Sequence, residues 1–358
     1  MPARLLTKTS IWNSFRSSGK RHIIITGERG SGKSTLLKEL FHGTKLRGIS
    51  TRAVPQKAVY LRENDTENDI LIGEYDETLP GNENKMRPNR KAFASSGTAL
   101  LESLASAEDE WVSIDEIGYL ETACPEYCTA AERLLDTRRV AAVVRKQSLP
   151  FLHAVCSRED VFLIDLDDPF GSISCVIMAS GLGTRFGTNK LMADFRGEPM
   201  ILRAIEATEG IFEKRIVVTR HADVAKLCRH SGIECILHDL PHRNDTVRLG
   251  IEAVGDTDAC VFCPGDQPLL RQETVVSLAL SARNAKNDIW RISFDGTDGA
   301  PVLFPQWTFS ELSSLPEGKG GGFLVKKYPE RTKNVSAQDR FELMDADTPE
   351  DLEFLKKQ

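Results

Sequence analysis

The sequence predicts two consecutive α/β domains, each a mostly parallel sheet with helices on both faces, and three observations carry that expectation. A chain of 358 residues exceeds one ordinary hydrophobic core and suits two domains of about 150 to 190 residues. Short apolar runs of strand length alternate with helix-length stretches in two separate series. Each series opens with a strand that runs straight into a glycine-rich loop.

In the first series the apolar runs predict strands at His22–Thr26, Ala58–Leu61, Trp111–Ile114, Val140–Val144 and Val161–Ile164. The polar stretch 62–88 is broken only by Ile70-Leu71-Ile72 and reads as loops around one short strand. Turn-forming residues at Asp167-Asp168-Pro169-Phe170-Gly171-Ser172 mark a boundary. A first domain then covers 21–168, a linker 169–173 and a second domain 174–358. The second series predicts strands at Cys175–Ala179, Arg215–Thr219, Glu234–Leu237, Ala259–Cys263 and Asp288–Ser293. Residues 1–20 carry Arg4, Lys8, Arg16 and Lys20 without an acidic residue; they resemble a transit peptide in composition but read as a basic tail before the first strand.

The net charge of -6 argues against a broad nucleic-acid or membrane surface, because those partners select clustered Lys and Arg. Any anionic ligand is then held by local sites. No apolar run reaches the roughly 18 residues of a spanning helix, and the expectation is a soluble, cytoplasmic protein. Eight scattered cysteines suit a reducing compartment. Cys260 and Cys263 have redox spacing but sit in a strand core, and Cys124 with Cys128 lacks a second ligand pair for zinc.

Gly27-Glu-Arg-Gly30-Ser31-Gly32-Lys33-Ser34 follows the strand 22–26 and precedes a helical stretch, the context that a phosphate-binding loop requires. Backbone N–H groups from Gly27, Gly30, Ser31, Gly32, Ser34 and Thr35 would surround the phosphates, with the helix N-terminus adding positive potential. Lys33 would reach the β and γ phosphates, and the Ser34 hydroxyl would ligate Mg²⁺. Trp111-Val-Ser-Ile-Asp115-Glu116 ends an apolar strand in two carboxylates, Asp115 for Mg²⁺ and Glu116 to polarise the attacking water.

With Asp115-Glu116-Ile-Gly118-Tyr-Leu-Glu121, these motifs resemble the small nucleoside-triphosphatases first known from thermophiles, over 21–164. The resemblance implies Mg-dependent hydrolysis of ATP or GTP on a P-loop NTPase sheet.

The second loop, Ala179-Ser180-Gly181-Leu-Gly183-Thr-Arg185-Phe-Gly187-Thr-Asn-Lys190, misses the dinucleotide fingerprint because its third glycine is one place late. Arg185 and Lys190 are instead placed to neutralise charge growing on a leaving pyrophosphate, and the backbone from Ala179 through Ser180, Gly181 and Gly183 to cradle a nucleotide. Asp266 ends the strand 259–263 and is a candidate Mg²⁺ ligand, with Asp345 a second. Thr348-Pro349-Glu350-Asp351 is a helix start with Thr348 as cap and Pro349 in the first turn, so Asp351 reads as a helix-start residue. His238 and His242 have metal-pair spacing, but Pro241 breaks the helix such a pair needs and both read as loop residues.

The segments 179–191, 265–268, 299–304 and 345–351 together resemble the nucleotidyltransferases that finish molybdenum cofactor, on a Rossmann-like sheet. Ala179-Ser180-Gly181 is nearer the cytidylyl branch, while Arg243-Asn244-Asp245-Thr246-Val-Arg248 resembles the accessory proteins of selenium-dependent molybdenum hydroxylases. The resemblance implies transfer of CMP from CTP to a molybdopterin, with an apo molybdenum hydroxylase as a partner. Asn244, Asp245 and Arg248 are then candidate nucleotide or pterin contacts. The alternatives are a sugar phosphate or phospho-alcohol as acceptor, or a nucleotide-regulated delivery protein.

Overall fold

The computed structural model describes residues 2–80, 85–183 and 185–358; residues 81–84 of the polar stretch and Thr184 of the second glycine loop lie outside them. The chain divides into two compact units, Gly19–Asp167 and a discontinuous one made of the N-terminal segment through Ser18 together with Asp168–Gln358.

The first unit is built on eight strands: β1 (His22–Thr26), β2 (Arg47–Val54), β3 (Ala58–Glu63), β4 (Asp69–Tyr75), β5 (Met86–Pro88), β6 (Trp111–Ile117), β7 (Arg139–Val144) and β8 (Val161–Asp165). Their order is β5-β4-β3-β2-β6-β7-β1-β8. The run from β2 to β8 is parallel, and its centre reads as continuous apolar sequence: Ile23, Ile24 and Ile25 are fully buried. The stretch expected to be loops around one strand is instead an antiparallel meander, β2-β3-β4-β5. One side of the meander is polar, which hides β2 in the sequence: Arg62 donates to Asp69 Oδ1 at 2.6 Å across the β3–β4 pair, and Arg52 on β2 bonds the same carboxylate.

In the second unit β9 (Ile173–Ala179) leads to a small ribbon, β10 (Asp194–Phe195) with β11 (Glu198–Pro199). There follow β12 (Lys214–Thr219), β13 (Glu234–Leu237), β14 (Ala259–Pro264), β15 (Ile289–Phe294), β16 (Thr297–Pro305) and β17 (Thr332–Ser336). The main sheet runs β13-β12-β9-β14-β16-β15-β17, with only β16 antiparallel to its neighbours. Cys260 and Cys263 are both buried in β14, on the strand that pairs directly with β9.

The basic tail is corrected outright. Lys8–Ser18 is a helix that packs on the helix Gln272–Asn284 of the second unit, burying Ser10, Ile11, Ser14 and Phe15. Ser14 Oγ donates to Ser277 O at 2.8 Å, so the two helix backbones approach closely. Every residue from Thr274 to Ala282 is buried, as expected of a helix covered on more than one side. The pattern escaped a hydrophobicity reading because two of the four buried positions on the N-terminal helix are serines. Among the described residues no helix is long and apolar enough to cross a membrane.

Candidate functional site

In the first unit the chain leaves β1 at Thr26, curls through 27–32, and enters the helix Lys33–Leu40. Gly32 holds the junction at φ 94°, a left-handed conformation that a residue with a Cβ resists. Lys33 is buried, and its ammonium donates to Gly27 O at 2.9 Å and Glu28 O at 2.8 Å. It therefore sits over the mouth of its own loop, where phosphate oxygens would take over both bonds. Ser31 Oγ is buried inside the loop and has no hydrogen-bond partner.

Ser34 Oγ donates to Asp115 Oδ1 at 2.7 Å, joining the loop to the end of β6. Burial pushes the Asp115 carboxyl up and the neighbouring Glu116 adds to that, against the Ser34 hydrogen bond. Two adjacent hard oxygen donors on an anion-binding loop fit a small divalent cation. Glu116 accepts from Arg145 Nε at 2.9 Å. Behind this edge the Glu121 carboxylate is fully buried and accepts the Gly118 N–H at 2.7 Å. Desolvation raises its pKa to about 7. Every residue proposed for this site lies in the loop 27–32, in the first turn of the helix that follows it, or at the end of β6.

The second unit repeats the strand–loop plan with different chemistry. Ser180 follows β9; its hydroxyl donates to Val218 O at 3.1 Å and lies 2.9 Å from His238 Nε2. Since the single hydroxyl proton is committed to Val218, His238 donates through Nε2. Gly181 O takes a bond from His221 Nε2 at 2.8 Å, and Gly183 turns the loop at φ 57°. Lys190 begins a short 3-10 helix capped by Asn189 and is buried. Its ammonium lies 2.6 Å from Asp266 Oδ2 and 2.8 Å from Asp347 Oδ1. Arg185, largely exposed, donates to the other oxygen of Asp347 at 2.6 Å. Burial opposes the charge on Lys190, but Asp266 and Asp347 outweigh it and hold the ammonium above its ordinary pKa. Hydrogen bonding from Lys190 holds the Asp347 carboxyl below the usual range.

Asp266 is fixed by its surroundings. A Cβ on Gly265 would lie 2.6 Å from Ile201 Cδ1, so the strand end passes tightly under the helix Ile201–Ala207. Asp266 O accepts the Ala346 N–H at 2.9 Å, which draws the C-terminal segment to the site. Asp345 accepts from Gln267 Nε2 at 3.0 Å, and its carboxyl is pushed up by desolvation and by the charge of Asp266. The residue in direct contact with both cations is Asp347, which the sequence reading did not single out. Its only signal was its place in an Asp-Ala-Asp triplet ahead of a helix cap. Thr348 is that cap and Asp351 completes the box: the Asp351 N–H donates to Thr348 Oγ1 at 3.1 Å and its carboxylate accepts the Thr348 N–H at 2.9 Å.

The remaining candidates lie on the segment that follows His238, the partner of Ser180. Asn244 Oδ1 accepts the Gly318 N–H at 3.0 Å, and His242 Nε2 lies 3.1 Å from Glu317. Asp245 accepts the His242 N–H at 3.1 Å and so caps the helix Arg243–Val254, while Arg248 bonds Glu252 at 3.1 Å. These contacts join the 238–248 segment to the 317–320 turn as one wall. Among the described residues no group of three His, Cys, Asp or Glu side chains is poised around a metal. The donor set fits a cation held by one or two carboxylates and by the substrate's own phosphate oxygens.

Comparison with known proteins matches both halves. Residues 22–169 fit the family model described as NTPase, and residues 175–332 that described as MobA-like NTP transferase domain. The nucleoside-triphosphatase THEP1 of Thermotoga sp. (strain RQ2) is 31% identical over 156 residues, which cover 41% of this chain and 86% of that protein. A 3-deoxy-manno-octulosonate cytidylyltransferase of Bartonella quintana (strain Toulouse) is 28% identical over 121 residues, 32% of this chain and 49% of that enzyme. A crystal structure of THEP1 from the hyperthermophile Aquifex aeolicus is similar at 22% identity and a TM-score of 0.35, covering 40% of this chain and 89% of that one. The chain therefore belongs to the THEP1 nucleoside-triphosphatase family through its first half and carries a nucleotidyltransferase domain of the MobA-like type in its second.

Proposed function

We propose that the second unit transfers CMP from CTP to the terminal phosphate of a molybdopterin, releasing pyrophosphate, and that the first hydrolyses ATP or GTP in support of that maturation. The observation that carries the transfer reading is Lys190, buried between Asp266 and Asp347 with Arg185 on the far side of Asp347. Two cations and two carboxylates beyond the carboxyl ends of β9 and β14 can separate when a triphosphate arrives. Lys190 and Arg185 then turn to the phosphate oxygens that gain charge, and Asp266 is freed for a divalent cation.

Asp266 and Asp345 would hold Mg²⁺, which would supply withdrawal of charge from the leaving pyrophosphate. An acceptor phosphate is already anionic near neutral pH, so the site needs no general base. Its work is alignment and charge neutralisation. The wall formed by Asn244, Asp245 and Glu317 is where this reading puts the base or the pterin. The partner receiving the finished cofactor is an apo molybdenum hydroxylase in the cytoplasm.

A second reading is favoured by the similarity to a sugar-acid cytidylyltransferase. In it the transferase chemistry is unchanged and the acceptor is a sugar derivative. Incubation with CTP labelled at the α-phosphate and each acceptor decides between them. Label on a pterin supports the first reading; label only on a sugar derivative replaces it with the second.

A further inference from the structure

In the first unit β7 lies between β1, which feeds the phosphate loop, and β6, which ends in the two carboxylates. Val143 of β7 is paired with Ile25 on one side and with Asp115 on the other. Residues of parallel strands in register share a height, so Arg145, two places past Val143, emerges level with Gly27 and just beyond Asp115. Its backbone is pinned there, with its N–H donating to Ile117 O at 2.9 Å.

The side chain lies across the turn that follows β6. A Cβ on Gly118 would come within 2.7 Å of Arg145 Cδ, so the turn leaves room for the arginine only because residue 118 has no side chain. The guanidinium then reaches Glu116, with Nε 2.9 Å from Oε1, and stays partly exposed. The next cation, Lys146, is engaged elsewhere, by Asp165 at 2.9 Å and Asp167 at 3.0 Å. Arg145 is thus a partly open guanidinium at the seam between the phosphate loop and the carboxylates, and it is paired with Glu116, the group assigned to polarise water.

We propose that Arg145 is a catalytic residue for NTP hydrolysis, whose guanidinium passes from Glu116 to the γ-phosphate and thereby both neutralises the transferring phosphoryl group and releases Glu116. The water oxygen forms the new bond to the γ-phosphorus while the bond to the β–γ bridging oxygen breaks. The nucleoside diphosphate leaves with that electron pair, and the water proton goes to Glu116 Oε1. Glu116 Oε1 is occupied by Arg145 Nε until the guanidinium moves, so the exchange makes activation depend on the third phosphate. A nucleoside diphosphate leaves the Arg145–Glu116 pair in place.

The proposal rests on Glu116 as the water-polarising group, and the two ideas fail separately. Glu116→Gln, Arg145→Ala and Arg145→Lys are compared in the full chain for NTP hydrolysis and for binding of ADP with and without aluminium fluoride. Arg145→Ala is expected to lower kcat at least about a hundredfold with KM held within about threefold. It should bind ADP normally, lose the extra affinity that aluminium fluoride confers, and regain part of its rate with added guanidinium. Wild-type kcat in Arg145→Ala, or a raised KM at unchanged kcat, overturns the assignment. If Arg145→Ala does not fold, Arg145→Lys decides: a loss of about tenfold or more in kcat supports the role and a change within about twofold overturns it. Hydrolysis that persists in Glu116→Gln overturns the reading of Glu116 instead.

Discussion

Lys190 reaches Asp266 at 2.6 Å from a buried position, so the glycine loop after β9 and the strand end of β14 are joined by a desolvated ion pair before any substrate chemistry begins. Removing the ammonium leaves Asp266 and Asp347 facing one another without it. Lys190→Ala is therefore expected to lower kcat for nucleotidyl transfer by about 10²- to 10³-fold while NTP hydrolysis is retained. Parallel assays of the two reactions on the same preparation check this.

Asp347 and Asp345 make contrasting variants. Asp347 bonds both Lys190 and Arg185, whereas Asp345 bonds Gln267. Asp347→Ala should free both cations from their common partner and alter the salt dependence and KM for the nucleotide more than Asp345→Ala does. If Asp345 is the carboxylate that assists Asp266 in holding the cation, Asp345→Ala should chiefly raise the Mg²⁺ concentration needed for half-maximal transfer. A titration of each variant with Mg²⁺ at saturating CTP separates the two roles.

Glu121 ties the stability of the first unit to pH. Its pKa is raised to about 7 against an ordinary 4.5. The neutral buried carboxyl contributes fully below about pH 4.5, and that contribution is lost as pH rises through about 7. Glu121→Gln keeps an oxygen for the Gly118 N–H and removes the titration. It should stabilise the unit at pH 8 by about 1–3 kcal/mol relative to the parent and flatten the stability profile between pH 5 and 8, measured by thermal melting.

The N-terminal helix should prove to be part of the transferase unit. Ile11 is fully buried against the helix Gln272–Asn284, so Ile11→Ala is expected to cost about 2–4 kcal/mol. The loss should appear in the melting of the transferase unit, followed by its activity, and leave NTP hydrolysis at moderate temperature unchanged.

How much of this was legible in the sequence follows from which physical signal each part carries. Buried parallel strands such as Ile23-Ile24-Ile25 announce themselves as apolar runs, and the glycine loops by spacing. The meander β2–β5 does so only in part: Ala58–Leu61 and Ile70–Ile72 mark β3 and β4, but β2 is hidden because polar residues such as Arg52, which pairs with Asp69 across the polar side, interrupt its run. The N-terminal helix is disguised by Ser10 and Ser14, whose hydroxyls bond backbone carbonyls and so bury without being apolar. At the sites, residues inside motifs were found and residues brought in by the fold were not. Arg145 reaches Glu116 only because β7 is threaded between β1 and β6, and His238 reaches Ser180 from the end of β13. Neither pairing has a sequence period.

The two glycine loops belong to separate sheets, and the expectation is two separate nucleotide sites with different chemistry. Lys33→Ala and Asp266→Ala, assayed side by side for NTP hydrolysis and for nucleotidyl transfer in the full chain, test it most directly. The expected result is a double dissociation: Lys33→Ala loses hydrolysis and keeps transfer, and Asp266→Ala does the reverse. Loss of both activities in either folded variant would contradict it and require a single composite site.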